Sequence, residues 1–144
     1  MSEASRDAAA AVQRYIESND GFLSKIGAEI RRLDATCCEI AVEDDDVASA
    51  NTTDTVAAHG GAVATLVDSA GGLAVRPHLD DPVADTVVTV SLDVDYLDAA
   101  RGEIVARGEV LRRGSSMAFS RIDVEADDEL VAVGSGAFKV VEDT

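Results

Sequence analysis

The stretch from His59 to Gly72, HGGAVATLVDSAGG, decides how the rest of the chain is read. Val63, Leu66, Val67 and Ala70, continued by Leu73 and Ala74, recur at three- and four-residue spacing. That spacing predicts a helix with a buried stripe from Gly60 to about Val75. Pro77 cannot continue it, so the central helix is assigned to residues 60–76. Thr65, Asp68 and Gly72 fall at i, i+3 and i+7 and share a narrow face of small and polar residues. A carboxylate on an otherwise buried helix is costly unless it is paired, hydrated or used. The plainer account is a solvent-facing Asp on an amphipathic helix. Gly60 and Gly61 leave accessible N–H groups where a helix start carries partial positive charge, which suits an anion or a developing oxyanion. The plainer account there is a tight turn needing glycine angles. Gly60 and Asp68 lie eight residues apart, about 12 Å along one helix. One small reacting group cannot touch both. If both act on one bond they come from two helices, which predicts a homodimer with two composite sites.

Downstream come four strand-like segments: TVVTVSLDVDYL, alternating from Val88 to Leu97, then GEIVARGEVLRRG, SMAFSRIDVEA and LVAVGSGAFKVV. Asp98–Gly102, Gly114-Ser115 and Asp127-Asp128 supply the turns. Upstream, residues 3–18 read as a helix within an N-terminal segment 1–20, with Val12, Tyr15 and Ile16 as its apolar stripe. Asn19-Asp20-Gly21 stops it. IGAEIRRLDATCCEIAVE predicts a first hairpin turning near Asp34 and Ala35, and Asp44 to Ala58 reads as a loop. No βαβ alternation follows the central helix. The expectation is an α+β fold: one domain over residues 1–144, an antiparallel six-stranded sheet wrapped around a long central helix, and an N-terminal helix. An open sheet has two edges, which invites pairing with a second copy.

The 144 residues carry a net charge of −16, and Lys25 and Lys139 are the only lysines. Such a surface repels nucleic acid and anionic membranes. The acids are spread along the chain, which fits a halophilic protein whose self-repulsion molar salt screens over about 3 Å; an acidic interaction module is the other reading. The apolar runs fall short of the ~20 residues of a membrane helix, and MSEASRDAAAAVQRY has no signal pattern. A cytoplasmic location is expected. Cys37 and Cys38 are adjacent, so a bridge is not expected; one is read as buried and one as partly exposed. No cluster has metal-ligand spacing, so no metal and no cofactor is expected; His78, alone beside Pro77, is read as exposed.

HGGAVATLVDSAGG resembles the central-helix signature of the PaaI-like acyl-CoA thioesterases of the hotdog fold, in which HGG opens the long helix and an acid nine residues after the His is catalytic. Asp68 is nine after His59. VVTVSLDVDYLDAARG, EVLRRGSSMAFSRIDV and GSGAFKVV resemble the family's later strands, so the likeness covers about residues 20–141. The resemblance implies thioester hydrolysis of an acyl-CoA. Asp68 would be general base or nucleophile, and the Gly60 N–H of the neighbouring subunit would polarise the carbonyl. Thr89 would hold the attacking water, and His59 would shape the helix start. Gly61, Arg112, Arg113, Gly114 and Ser115 would contact coenzyme A. Strand alternation puts Arg112 and Arg113 on opposite faces, so one of the pair, with Arg76, is the better basic contact. Relatives carry Asn or Gln about six residues before the HGG histidine; here Thr53 stands there and Asn51 lies eight before, so Asn51 reaches that place only through a loop insertion. Gly72 stands where another hotdog branch has Ser or Thr, which favours the branch that uses Thr89. The assembly implied is a dimer or a dimer of dimers, a homotetramer. The competing readings are a dimer that binds acyl-CoA without turnover and a hydratase, whose His–acid pair is not evident here.

Overall fold

A computed structural model describes residues 3–18, 21–48 and 57–142, without the side chains of 4, 5 and 8. Asn51 and Thr53 lie outside the described residues. In chain order the elements are helix α1 (Glu3–Ser18), the four-residue helix α2 (Phe22–Lys25), strands β1 (Glu29–Leu33) and β2 (Cys38–Glu43), and helix α3 (Gly60–Val75). Strands β3 (Thr86–Tyr96), β4 (Glu103–Arg113), β5 (Met117–Ala126) and β6 (Glu129–Val141) follow. Short 3-10 turns occupy Asp44–Val47 and Arg76–His78, the second holding Pro77.

All six strands form one antiparallel sheet in the order β1-β2-β4-β5-β6-β3. The central helix packs across one face of it. Leu66, Val67 and Ala70 are fully buried against Ile40, Ile104, Ile122 and Val124. Full burial of a side chain such as Leu66 contributes about 2 kcal/mol. Strand β5 alternates strictly, with Ala118, Ser120, Ile122, Val124 and Ala126 inward. At one crossing the helix rests on bare backbone: a Cβ on Gly108 would lie 2.4 Å from the Ala70 carbonyl oxygen. Asp127 and Asp128 both adopt left-handed angles in the two-residue β5–β6 turn, a conformation Asp tolerates better than most side chains.

Two strands carry one-residue irregularities. In β3, Thr89 pairs with Phe138 and Ser91 with Ala137, leaving Val90 as a bulge. In β4, Val110 pairs with Ser120 and Arg112 with Phe119, leaving Leu111 extra. A bulge shifts the inward–outward phase of everything beyond it.

The structure departs from the sequence reading in four places. The helix α2 was not anticipated. The region after β2 starts with a 3-10 turn rather than plain loop. Of the expected α1 stripe, Val12 is buried and Ile16 packs on the core, but Tyr15 is 48 % exposed and Ala9 is buried in addition. Both cysteines are buried and free: Cys38 begins β2 and points into the core, while Cys37 precedes the strand, where alternation has no force. Burial pushes both thiols up from their usual range. His78 is exposed, as expected. No helix among the described residues is long and apolar enough to cross a membrane.

Candidate active site

Asp68 lies midway along α3 and is half-buried. The Thr89 hydroxyl donates a 2.6 Å hydrogen bond to its Oδ1. Oδ2 has no hydrogen-bond partner among the described residues. The pair lines a pocket of about 190 Å³ with Leu23, Ser69, Gly72, Arg76, Val87 and Phe138. Apolar side chains from Leu23, Leu73, Val87 and Phe138 share the wall with polar groups around one oriented carboxylate. Arg76 is the cation of this pocket. Its guanidinium is anchored by hydrogen bonds to the carbonyls of Pro82 at 2.9 Å and Asp85 at 3.0 Å, and burial lowers its pKa from the usual arginine value.

The start of α3 is organised by three side chains. His59 is the N-cap, and its Nδ1 accepts a 2.8 Å hydrogen bond from the Gly61 N–H. Accepting there places the proton of a neutral ring on Nε2. Thr65 donates back to the Gly61 carbonyl at 2.9 Å. Tyr96 donates to the Gly60 carbonyl at 2.6 Å, and its ring lies over the Gly60 α-carbon. The hydrogen bonds among the described residues include none from the Gly60 N–H. Of the two glycine donors read from the sequence, therefore, Gly61 is capped within the chain and Gly60 remains exposed.

The β3 bulge explains how one strand serves both places. Thr89 and Tyr96 are seven residues apart, an odd interval that strict alternation puts on opposite faces. The extra residue at Val90 reverses the phase, so Thr89 reaches Asp68 and Tyr96 reaches Gly60 on the same side. Sequence reading missed the Tyr96 contact for this reason: its period-two signal points the wrong way.

The other residues singled out from the sequence lie elsewhere. Arg112, Arg113, Gly114 and Ser115 sit at the β4–β5 turn and do not line the Asp68 pocket. The two arginines do take opposite faces, Arg112 opposite exposed Phe119 and Arg113 opposite buried Ala118. Arg113 is folded back on the Gly114 carbonyl, and its Nε is buried without a partner. Thr65 shares the Asp68 stripe but lines a different hollow, with His59 and Gly61.

A buried helix bearing an oriented acid, laid on an antiparallel sheet of this strand order, is the arrangement of hotdog-fold thioesterases. A solved structure of similar fold is a variant of the phenylacetic acid degradation protein PaaI from Thermus thermophilus, with a TM-score of 0.71 and 24 % identity, covering 83 % of this chain and 98 % of that one. The Thioesterase superfamily model matches residues 57–133, and the chain belongs to that superfamily. A Halobacterium salinarum protein that carries the provisional name of an esterase is 37 % identical over 144 aligned residues, covering 95 % of each chain. A medium/long-chain acyl-CoA thioesterase of Salmonella typhimurium is 26 % identical, covering 83 % of this chain and 84 % of its own.

Proposed function

We propose that the protein hydrolyses an acyl-CoA to the free acid and coenzyme A, as a homodimer or a dimer of such dimers in a salt-rich cytoplasm. The observation that carries this reading is the Thr89–Asp68 hydrogen bond inside a pocket walled by both apolar and polar side chains. Thr89 donates its proton to Asp68 Oδ1, so its own lone pairs face outward as acceptors. A water held by Thr89 Oγ1 and Asp68 Oδ2 would have both protons engaged and a lone pair free. Asp68 takes one proton as the water oxygen attacks the thioester carbonyl carbon. The carbonyl oxygen gains negative charge, which a Gly60 N–H stabilises. The tetrahedral intermediate then collapses, the C–S bond breaks, and the thiolate leaves with a proton returned from Asp68. Direct attack by Asp68 as a nucleophile uses the same contacts.

Gly60 and Asp68 of one chain are about 12 Å apart along α3, too far for one carbonyl group and its water. The donor therefore comes from a second subunit, and β3, at the sheet edge with Val88 and Val90 exposed, is the natural seam for it. Arg76, with Arg112 or Arg113 and the Gly114-Ser115 turn, would receive the anionic parts of coenzyme A. The name of the Salmonella relative supports a fatty acyl group.

The test is thiol release from a panel of acyl-CoAs in molar KCl. Asp68→Asn should lower kcat by about 10²–10⁴-fold. Gly60→Pro removes the N–H while a first-turn proline is tolerated, and His59, at φ −59° and ψ 133°, already has the angles a following proline needs. It should lower kcat by about 10²–10³-fold. Mixing the two inactive variants and refolding them together should restore activity, because mixed dimers hold one intact site. No rescue would refute the composite site, and no turnover of any acyl-CoA by the wild type would refute hydrolysis.

A further inference from the structure

Among the hollows to which the thioesterase reading gives no role, one adjoins the proposed oxyanion donor. It has a volume of about 360 Å³ and lies beside the start of α3, between that helix and α2. Phe22, Ile26, Val47, Ala48 and Ala62 supply apolar wall, and His59 and Gly61 at the helix start also line it. Two of the polar groups there are already engaged within the chain. His59 Nδ1 accepts from Gly61, and the Thr65 hydroxyl donates to the Gly61 carbonyl. The one charged side chain in the wall is Asp46.

The outer wall is held in place. Although α2 is a single turn, its end is closed by a pair of backbone bonds, Ala28 N–H to Leu23 at 2.9 Å and Gly27 N–H to Ser24 at 3.1 Å. Gly27 takes the left-handed angle, φ 73°, that this closure requires. Phe22, one of three phenylalanines in the chain, is thereby fixed in a position where it is 62 % exposed. The same turn sends Leu23 into the Asp68 pocket and Ile26 into this hollow.

We infer that this hollow is the acyl subsite, that it takes an unbranched aliphatic chain of medium length, and that α2 sets the chain-length preference. The inference rests on the proposed role of Gly60. A carbonyl oxygen on the Gly60 N–H lies about 2.9 Å from that nitrogen, and both chain neighbours of Gly60, His59 and Gly61, line the hollow, so an acyl chain begins beside it. At about 30 Å³ for a water-sized group, the volume holds on the order of ten methylene-sized groups. Asp46 repels an acyl group that ends in a carboxylate.

The test is kcat/KM for saturated straight-chain acyl-CoAs from acetyl to decanoyl, and for glutaryl-CoA against pentanoyl-CoA. In the wild type kcat/KM should rise about fourfold per added methylene until the hollow is full. Ala48→Phe should fill it, leaving acetyl-CoA within about twofold and lowering octanoyl-CoA about tenfold or more. Phe22→Ala should flatten the chain-length slope, also without loss on acetyl-CoA. Glutaryl-CoA should be at least tenfold poorer than pentanoyl-CoA, and Asp46→Asn should narrow that gap. An unchanged slope in both Ala48→Phe and Phe22→Ala overturns the inference while hydrolysis stands. If the wild type hydrolyses nothing, the thioethers of coenzyme A with acetyl- and octyl-length chains decide it by calorimetry. Tighter binding of the longer one, lost in Ala48→Phe, supports the subsite; equal affinities overturn it.

Discussion

The two edges of the sheet differ in length, charge and cover. At one edge β1 has five residues, an irregularity between Ile30 and Arg32, and three charged side chains. Arg31 forms a paired contact with Glu103 at 2.7 and 2.8 Å, and Arg32 holds Asp34 at 2.8 Å. Gln13 of α1 reaches the Ile30 carbonyl at 3.3 Å. At the other edge β3 has eleven residues, and none of the ion pairs among the described residues involves it. Val88, Val90, Tyr96 and Leu97 are each about half exposed or more. A short edge laced with ion pairs resists strand addition; a long edge with exposed valines, even one bearing Asp93 and Asp95, accepts it more readily. The same sheet thus guards one side and offers the other, and the offered side is the one that carries Thr89.

Putting charge on the open edge should have the largest effect. Val88→Lys combined with Val90→Lys should convert dimer to monomer in light scattering and reduce turnover by about 100-fold or more, since each site loses its donor. A fully active monomer would remove the link between edge and site. Salt acts on the same seam with a smaller effect. Two chains of charge −16 repel across it, so lowering KCl from molar to about 0.1 M, where screening reaches about 10 Å, should weaken self-association by about tenfold or more and lower the melting temperature. Sedimentation and calorimetry at matched concentrations check this; salt-independent association would sink it.

The guarded edge should answer through stability alone. Asp34 closes the β1–β2 turn by accepting from the Thr36 and Cys37 N–H groups at 2.7 and 3.0 Å. Burial raises its pKa, but the Arg32 guanidinium and those two N–H groups outweigh it, and the carboxyl sits below its usual value. A depressed carboxyl contributes stability above its unfolded pKa and loses it as pH falls through the folded value. Asp34→Ala should therefore cost about 2 kcal/mol near neutral pH. The gap to wild type should close below about pH 4, with dimerisation unchanged throughout. Denaturant melts across pH give the answer, and a gap that widens in acid would contradict it. The smallest effect belongs to Arg31→Ala, which should leave oligomeric state intact and turnover within about twofold.

Much of this was legible in the chain. The spacing of Val63, Leu66, Val67, Ala70, Leu73 and Ala74 gave the buried helix, and turn residues such as Asp127-Asp128 separated the strands correctly. The juxtaposition of Thr89 with Asp68 came from resemblance, because twenty-one residues of separation carry no local signal. What stayed hidden has physical causes. A four-residue helix such as α2 is too short to show a period. The extra residues at Val90 and Leu111 are silent in a pattern of alternation, although Val90 decides where Tyr96 points. Histidine is not among the usual N-caps, so His59 did not announce that it would take the Gly61 N–H.

The contact between Gly108 and the Ala70 carbonyl has a consequence for anyone mapping this protein by mutation. Any side chain there must lift or tilt α3, since a Cβ would stand 2.4 Å from that oxygen. The helix carries Asp68 near its middle and Gly60 at its tip, so a single lever moves both. A scan scored on turnover alone would rank Gly108 beside Asp68 and mark it as chemistry. Scored for folded protein as well, the two part company: Asp68→Asn should be stable and silent, and Gly108→Ala damaged in both measures. The glycine is the keel on which the helix, with Asp68 and Gly60, is trimmed.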